Sequence, residues 1–298
     1  MATFEKAVLI YNGNAGDSDT AEKLSLTVPI LSQSIAQLTL IQTKTIEEMK
    51  SACSDAASKV DLLIVLGGDG TLHTAVNSIA PLAKRPVLAV LPGGTANDFS
   101  RALQIPQDLE EAARALVSGK VQSIDVGQAE NTYFLNFWGI GLVAETSKNV
   151  AANQKERFGA VSYFISTLKT IREAKAFSYE LEADETLRTG EAVLLLVLNG
   201  RFIGTHELPI DKLSPSDGML DVLIVKNSSL AALRELLALQ KNDTDKQALR
   251  ELEHFRTTGL TIKTATSEDV DTDGEIYTQT PANITILPNH LQMLIPAE

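Results

Sequence analysis

The chain is poor in cysteine, in long apolar runs and in positive charge, and each shortage removes a class of function. Its single cysteine, Cys53, excludes an internal disulfide and a cysteine-rich zinc site, which predicts a reducing compartment. The longest apolar runs, Leu62–Leu66, Val87–Leu91 and Ala192–Leu198, fall far short of the roughly 18 residues of a spanning helix. Twenty-six Lys and Arg against 38 Asp and Glu give a net charge of −12, so nothing in the overall balance recruits nucleic acid or anionic lipid. The first residues read as a strand with no secretory h-region, which predicts a cytoplasmic protein whose membrane contact, if any, is peripheral. A Walker A lysine is also lacking, which excludes a P-loop enzyme.

What is present is a large apolar content, 44% of 298 residues, enough for packed cores in one large domain or two ordinary ones. In the first third, Lys6–Tyr11, Leu38–Thr43, Asp61–Leu66 and Pro86–Leu91 read as buried strands. Helical spacing lies between them: Leu72, Ala75, Val76 and Ile79; then Phe99, Ala102 and Leu103; then Leu109, Ala112, Ala113 and Leu116. That alternation predicts a parallel α/β sheet over residues 1–124. From 125 to 298 strands dominate, with Val121–Val126 leading into them: Tyr133–Gly141, Phe177–Ala183, Glu191–Asn199, Met219–Lys226, Gly259–Thr264 and Ile284–Leu287. They predict a mostly antiparallel β-sandwich domain whose last strand could return to the first domain. Two helical stretches, one carrying Val161 to Ile171 and one Leu230 to Leu237, and a polar loop over 144–159 interrupt them.

Two glycine-rich turns follow predicted strands. In Leu66-Gly67-Gly68-Asp69-Gly70-Thr71, glycine permits positive φ and close backbone approach to a ligand, and a helix N-terminus that suits phosphate follows. The carboxylate of Asp69 beside a phosphate implies Mg2+ between them, held by few carboxylates plus substrate oxygens. The plainer alternative makes Asp69 a helix cap. In Pro92-Gly93-Gly94-Thr95-Ala96-Asn97-Asp98, Thr95, Asn97 and Asp98 offer hydrogen-bonding groups at the strand edge where open α/β sheets bind ligands, against a capping box from Thr95 to Asp98. Three weaker patterns carry less. Asp269-x-Asp271-x-Asp273-Gly274 is half an EF-hand loop but has Thr280 where a bidentate Glu is required. Gly139-x-Gly141-x-x-Ala144 reads as a tight turn. Trp138, among Phe134 and Phe137, reads as core.

Gly67–Thr71 with Pro92–Arg101 resembles the catalytic domain of diacylglycerol-kinase-type lipid kinases, including soluble bacterial ones and sphingosine kinases. The glycine turn alone is shared with NAD kinases and phosphofructokinases. The resemblance continues through Ser123–Gly127, with the family's junction Asp at Asp125. It runs on through Pro215–Leu220, with Asp217 in the Asp-Gly turn of a structural Mg2+, and through Asp273-Gly274-Glu275. Two departures stand out. His73 and Thr74 occupy the usual Asn-Glu positions, and the first-strand turn is Asn12-Gly13-Asn14-Ala15-Gly16 in place of Asn-Pro-x-x-Gly.

The resemblance implies an ATP- and Mg2+-dependent lipid kinase that phosphorylates a lipid hydroxyl, with diacylglycerol the first candidate. Alternatives are an NAD-kinase-like enzyme or a non-catalytic nucleotide- or lipid-binding regulator. It implies a nucleotide site at Asn12, Thr43, Gly67, Gly68, Asp69, Gly70, Thr71, Gly94, Thr95 and Asn97. Asp69 and Asp125 would organise catalytic Mg2+, and Glu275 would be the general base. A metal would be held by Asp217 with the carbonyls of Ser214 and Met219. The resemblance also implies ATP and a membrane lipid as partners, peripheral contact at the inner face of the membrane, and a homodimer.

Overall fold

The computed structural model describes residues 4–13, 17–144, 175–208, 210, 212–227, 229, 231, 232, 235 and 250–297. The helix expected around Val161–Ile171, most of the one expected around Leu230–Leu237, and nearly all of the polar 144–159 loop lie outside the described residues. The chain divides into two compact units, residues 1–124 with 289–298, and residues 125–288.

In the first unit strands and helices alternate: β1 (Phe4–Asn12), α1 (Asp17–Leu31), β2 (Ile35–Thr43), α2 (Ile46–Ala57), β3 (Leu62–Gly67), α3 (Asp69–Ile79), β4 (Val87–Pro92), α4 (Asp98–Ala102) and α5 (Leu109–Val117). The strands form a parallel sheet in the order β2-β1-β3-β4, continued by the end of the chain's last strand, where Met293 pairs with Leu88. Covered on both faces by helices, β3 and β4 read as unbroken apolar runs: Leu62–Leu66 and Leu88–Leu91 are at most 4% exposed. At the edge, β2 is largely exposed. The expected helical faces are there: Leu72, Ala75, Val76 and Ile79 on α3, and Ala112, Ala113 and Leu116 on α5, are all buried. Helix α2 starts with reciprocal capping, Thr45 Oγ1 accepting from the Glu48 N–H at 3.1 Å and Glu48 Oε2 from the Lys44 N–H at 2.7 Å. Cys53 on this helix is buried, and burial pushes its thiol up to about 12, so it is no nucleophile.

The remaining strands are β5 (Lys120–Ala129), β6 (Thr132–Phe134), β7 (Phe137–Gly141), β8 (Phe177–Ala183), β9 (Thr186–Ala192), β10 (Leu194–Leu198), β11 (Phe202–Ile203), β12 (His206–Glu207), β13 (Leu220–Val225), β14 (Leu252–Thr257), β15 (Gly259–Thr264), β16 (Asp269–Thr272), β17 (Glu275–Gln279) and β18 (Ala282–Ile295). In the second unit the order β14-β13-β10-β7-β16-β17 makes one antiparallel layer. The start of β18 with β15, β8 and β9 makes the other, also antiparallel. Trp138, Ile140, Leu195, Val197, Val222 and Ile224 from the first layer meet Phe177, Leu181, Leu260, Ile262 and Ile284 from the second in one core. The alternating burial of β8 is the period-2 signature of such a layer.

The fold class expected from the sequence is present, an α/β parallel sheet and an antiparallel sandwich. Three strand readings need correction. Tyr133–Gly141 is two strands, because the backbone N–H groups of Leu135, Asn136 and Phe137 turn aside to the Asp273 carboxylate. Glu191–Asn199 is likewise the end of β9 followed by β10. Gly139 and Gly141 lie within β7 rather than in a tight turn; Gly141, at φ +81°, has no room for a Cβ, which would lie 2.4 Å from the Val193 carbonyl. Strands β9, β14, β16 and β17 escaped the sequence reading because their polar residues leave no apolar run.

Candidate nucleotide and phosphoryl-transfer sites

In the first unit the C-terminal ends of β1, β3 and β4 open into a cleft of about 470 Å3, its open mouth included. It is lined by Tyr11, Asn12, Thr20, Lys23, Leu66, Gly67, Gly68, Thr71 and Gly93. Of the residues expected at a nucleotide, Asn12, Gly67, Gly68 and Thr71 are therefore brought to one wall. Gly70 is the second residue of α3, and its carbonyl accepts the Thr74 hydroxyl at 2.9 Å. Thr43 stands outside the lining and is nearly buried. Its hydroxyl donates to the Tyr11 carbonyl at 3.2 Å, and its carbonyl accepts the Gly13 N–H at 2.9 Å.

Positive φ, one of the two uses the sequence suggested for these glycines, is not what the turns need. None of Gly67, Gly68, Gly70, Gly93 and Gly94 has positive φ. Instead the two turns lie backbone against backbone, the Gly93 N–H donating to the Gly67 carbonyl at 2.9 Å. A Cβ on Gly94 would sit 2.5 Å from Gly68 Cα, and one on Gly93 would sit 3.2 Å from Gly67 Cα. The N-cap of α3 is Gly68, which leaves Asp69 at the first helical position, where the helix dipole favours a carboxylate. Asp69 Oδ1 accepts the backbone N–H of Asp98 at 2.7 Å and so joins the second turn to the first.

That second turn is not the capping box the sequence allowed. Helix α4 begins at Asp98, and its N-cap is Asn97, in the left-handed region at φ 53°. The Asn97 amide is spent on its own turn: Oδ1 accepts from the Gly94 N–H at 3.0 Å, and Nδ2 donates to the Gly94 carbonyl at 2.9 Å and to Gln107 Oε1 at 3.3 Å. Asn97 thus shapes the loop, while Thr95 stands exposed at its tip. His73 and Thr74 are both buried along α3, and neither lines the cleft. Lys23 was missed altogether. It has no neighbour in sequence that marks it, and its place in the lining comes from the packing of α1.

In the second unit, Asp125 is 1% exposed and holds the Pro215–Met219 turn from both ends. Its N–H donates to the Pro215 carbonyl at 2.7 Å, and its Oδ2 accepts the Gly218 N–H at 2.6 Å. Gly218 has φ +72°, a conformation that favours glycine. Within that turn Asp217 Oδ1 accepts the Met219 N–H at 3.1 Å, while Oδ2 is paired with the Arg256 guanidinium. Burial raises the Asp217 pKa, and Arg256 pulls it back down. Arg256 Nε also lies 3.5 Å from Asp221 Oδ2, and Asp221 Oδ1 is 2.7 Å from His254 Nε2. Carbonyl oxygens at Ser214 and Met219 with one carboxylate would be donors of the right chemistry for Mg2+. The arrangement does not fit the ion, because Arg256 already supplies the positive charge at Asp217.

The Asp273-Gly274-Glu275 motif forms the hairpin between β16 and β17, with Thr272 opposite Glu275. Asp273 Oδ1 accepts N–H groups from Asn136 and Phe137 at 2.9 Å each, and Oδ2 accepts that of Leu135 at 2.8 Å. Asp271, fully buried, accepts the Gly274 N–H at 2.7 Å. Both carboxylates are committed to backbone N–H groups, Asp271 within the hairpin and Asp273 on the Leu135–Phe137 segment, so the spacing is not a calcium loop. Glu275, half-buried, stands just beyond this fixed turn. Among the described residues no group of three or more His, Cys, Asp or Glu is placed to hold a metal ion, and no helix is long and apolar enough to cross a membrane. Asp69, whose carboxylate lies at the junction of the two turns, has the chemistry to meet Mg2+ that takes most of its ligands from phosphate oxygens and water.

Comparison with known proteins agrees over nearly the whole length. Residues 6–129 match the diacylglycerol kinase catalytic domain, and residues 139–295 match the YegS C-terminal NAD kinase beta sandwich-like domain. A "putative lipid kinase" of Staphylococcus carnosus strain TM300 is 31% identical over 296 residues, covering 98% of this chain and 97% of its own. One of Staphylococcus aureus strain NCTC 8325 is also 31% identical over the same shares. The crystal structure of a "putative diacylglycerol kinase" from Bacillus anthracis str. Sterne superposes with a TM-score of 0.90 at 38% identity, covering 99% of this chain and 98% of that one.

Proposed function

As the chain belongs to the lipid kinases that join a diacylglycerol kinase catalytic domain to a YegS-type C-terminal domain, we propose that it transfers the γ-phosphoryl group of ATP to a lipid hydroxyl, with diacylglycerol as acceptor and phosphatidic acid as product. The observation that supports this most is the pair of glycine turns pressed together at the sheet's C-terminal edge, with Asp69 and Asp98 at their junction. Main chain without side chains can approach a triphosphate closely, and the first turn of α3 directs N–H groups and a positive dipole end toward it.

Phosphoryl transfer asks the protein for positioning, for charge neutralisation and for a proton acceptor. Asn12, Thr71 and the main chain of Gly67 and Gly68 position the nucleotide phosphates. Asp69 would hold Mg2+, which when bound supplies positive charge to the transferring phosphoryl group. Glu275 takes the proton of the acceptor hydroxyl while that oxygen bonds to the γ-phosphorus and the bond to the ADP oxygen breaks. Asp273 keeps the Glu275 hairpin in place, and Asp125 does the same for the 215–219 turn. Both act as positioning residues.

The test is incubation of purified protein with labelled ATP, Mg2+ and a panel of lipid alcohols and NAD. A labelled lipid that requires both ATP and Mg2+ is expected. Glu275→Gln should lower turnover by about 10²–10⁴-fold and leave ATP affinity unchanged. Labelled NADP, or nucleotide binding with no phosphorylated product, would overturn the reading.

A further inference from the structure

Lys23 brings a cation to a cleft whose sequence lacks the usual phosphate lysine. It projects from α1, one helical turn beyond the buried Thr20, and both residues line the cleft beside Gly67, Gly68, Thr71 and Gly93. Its ammonium donates to the Gly93 carbonyl at 3.1 Å and pairs with Asp19 Oδ2 at 2.8 Å; the side chain is 23% exposed. The Gly93 contact places the charge directly over the junction of the two turns, 70 residues away in sequence.

This position is better explained by a ligand than by stability. Asp19 is half exposed, and such a surface pair is worth about 0–1 kcal/mol. A carbonyl and a mobile carboxylate are partners that an ammonium with three donors exchanges easily for phosphate oxygens. The rest of the lining is neutral. With an ATP charge near −4, the bare main chain of Gly67, Gly68 and Gly93 leaves room for one more cation at the phosphates. We infer that Lys23 is a phosphate-binding residue of this cleft, contacting the nucleotide polyphosphate as a point charge from α1. The inference rests on the nucleotide reading above and adds to it a residue outside both glycine turns.

The experiment measures ADP, ATP and adenosine binding by calorimetry at several salt concentrations, with melting curves, for wild type, Lys23→Met, Lys23→Arg and Asp19→Asn. Lys23→Met should weaken ADP and ATP by about 10- to 100-fold, the range of a charge-assisted hydrogen bond, and leave adenosine unchanged. It should also flatten the salt dependence of ADP binding. Lys23→Arg should stay within about threefold of wild type, since it keeps the charge. Asp19→Asn removes a competitor for the ammonium, so ADP affinity should hold or rise. A Lys23→Met protein that melts lower but binds ADP as wild type does would make Lys23 a strut and overturn the inference. So would adenosine affinity falling in step with ADP. If Lys23→Met fails to fold, a fall in ADP affinity for Asp19→Asn overturns it instead. Wild type that binds no nucleotide at all defeats the nucleotide reading itself, and the role of Lys23 with it.

Discussion

The Oδ1 atom of Asp69 lies 2.7 Å from the backbone nitrogen of Asp98 and accepts its N–H. One carboxylate thus ties together two turns 29 residues apart, in addition to whatever charge it offers a ligand. The two roles separate by substitution. Asp69→Asn keeps an oxygen that can accept the Asp98 N–H but carries no charge. It should melt near wild type and lose Mg2+-dependent lipid phosphorylation by at least about 10²-fold, since charge stabilisation dominates such transfers. Asp69→Ala should also lose stability, by about 1–3 kcal/mol, because a largely buried N–H is left without its acceptor. Parallel melting curves and turnover measurements check both, and wild-type turnover in the Asn variant would reduce Asp69 to a strut.

Contact between the glycine turns predicts a ranking. A Cβ at position 94 would sit 2.5 Å from Gly68 Cα, whereas one at position 68 would sit 3.1 Å from Gly94 Cα. Gly94→Ala should therefore cost about 1–3 kcal/mol through overpacking, and Gly68→Ala less. Urea unfolding of the two variants gives the order directly. A Gly94→Ala protein as stable as wild type would show that the turns can move apart freely.

Asp273 holds three N–H groups of the Leu135–Phe137 segment while itself at φ 53°. Asn tolerates that left-handed backbone, so Asp273→Asn removes charge and one acceptor without adding strain. The expected loss is about 1–3 kcal/mol of stability. Turnover should fall with the KM for ATP unchanged, because the displaced group is Glu275 rather than the nucleotide cleft. Asp273→Ala should be worse on both counts. Steady-state kinetics beside denaturation curves distinguish this from a merely structural role, in which KM and turnover would stay as in wild type.

His290 gives a pH dependence. Its Nε2–H donates to the Ala80 carbonyl at 2.9 Å, yet burial outweighs that bond and, with the nearby Arg85 charge, lowers the ring's pKa from 6.5. The folded chain therefore binds this proton less readily than the unfolded chain. Its contribution to stability is complete above about pH 6.5 and is lost as pH falls through 6.5 toward the lower folded value. His290→Gln should flatten that part of the profile. The difference between the urea midpoints of wild type and variant from pH 5 to 7.5 checks it, and identical profiles would contradict it.

Local periodicity determined much of this protein. Four apolar runs separated by 3.6-period faces specify a parallel α/β sheet, since β3 and β4 must be apolar on both sides and α3 and α5 on one. The alternation in β8 specifies a two-layer sandwich in the same way. Residue type at a strand end also marked Asp69 as chemistry-bearing, whereas Asp217 and Glu275 were marked by the family resemblance alone. What those residues touch was decided only by the tertiary structure. Gly94 is glycine because Gly68, 26 positions earlier, lies against it, Asp217 meets Arg256 from β14, and Asp273 reaches a backbone segment more than 130 residues before it. Lys23 joins the cleft through the packing of a helix that carries no motif. Such contacts leave no pattern in the sequence, because each depends on where two distant segments come to rest and not on the spacing of residues within either one.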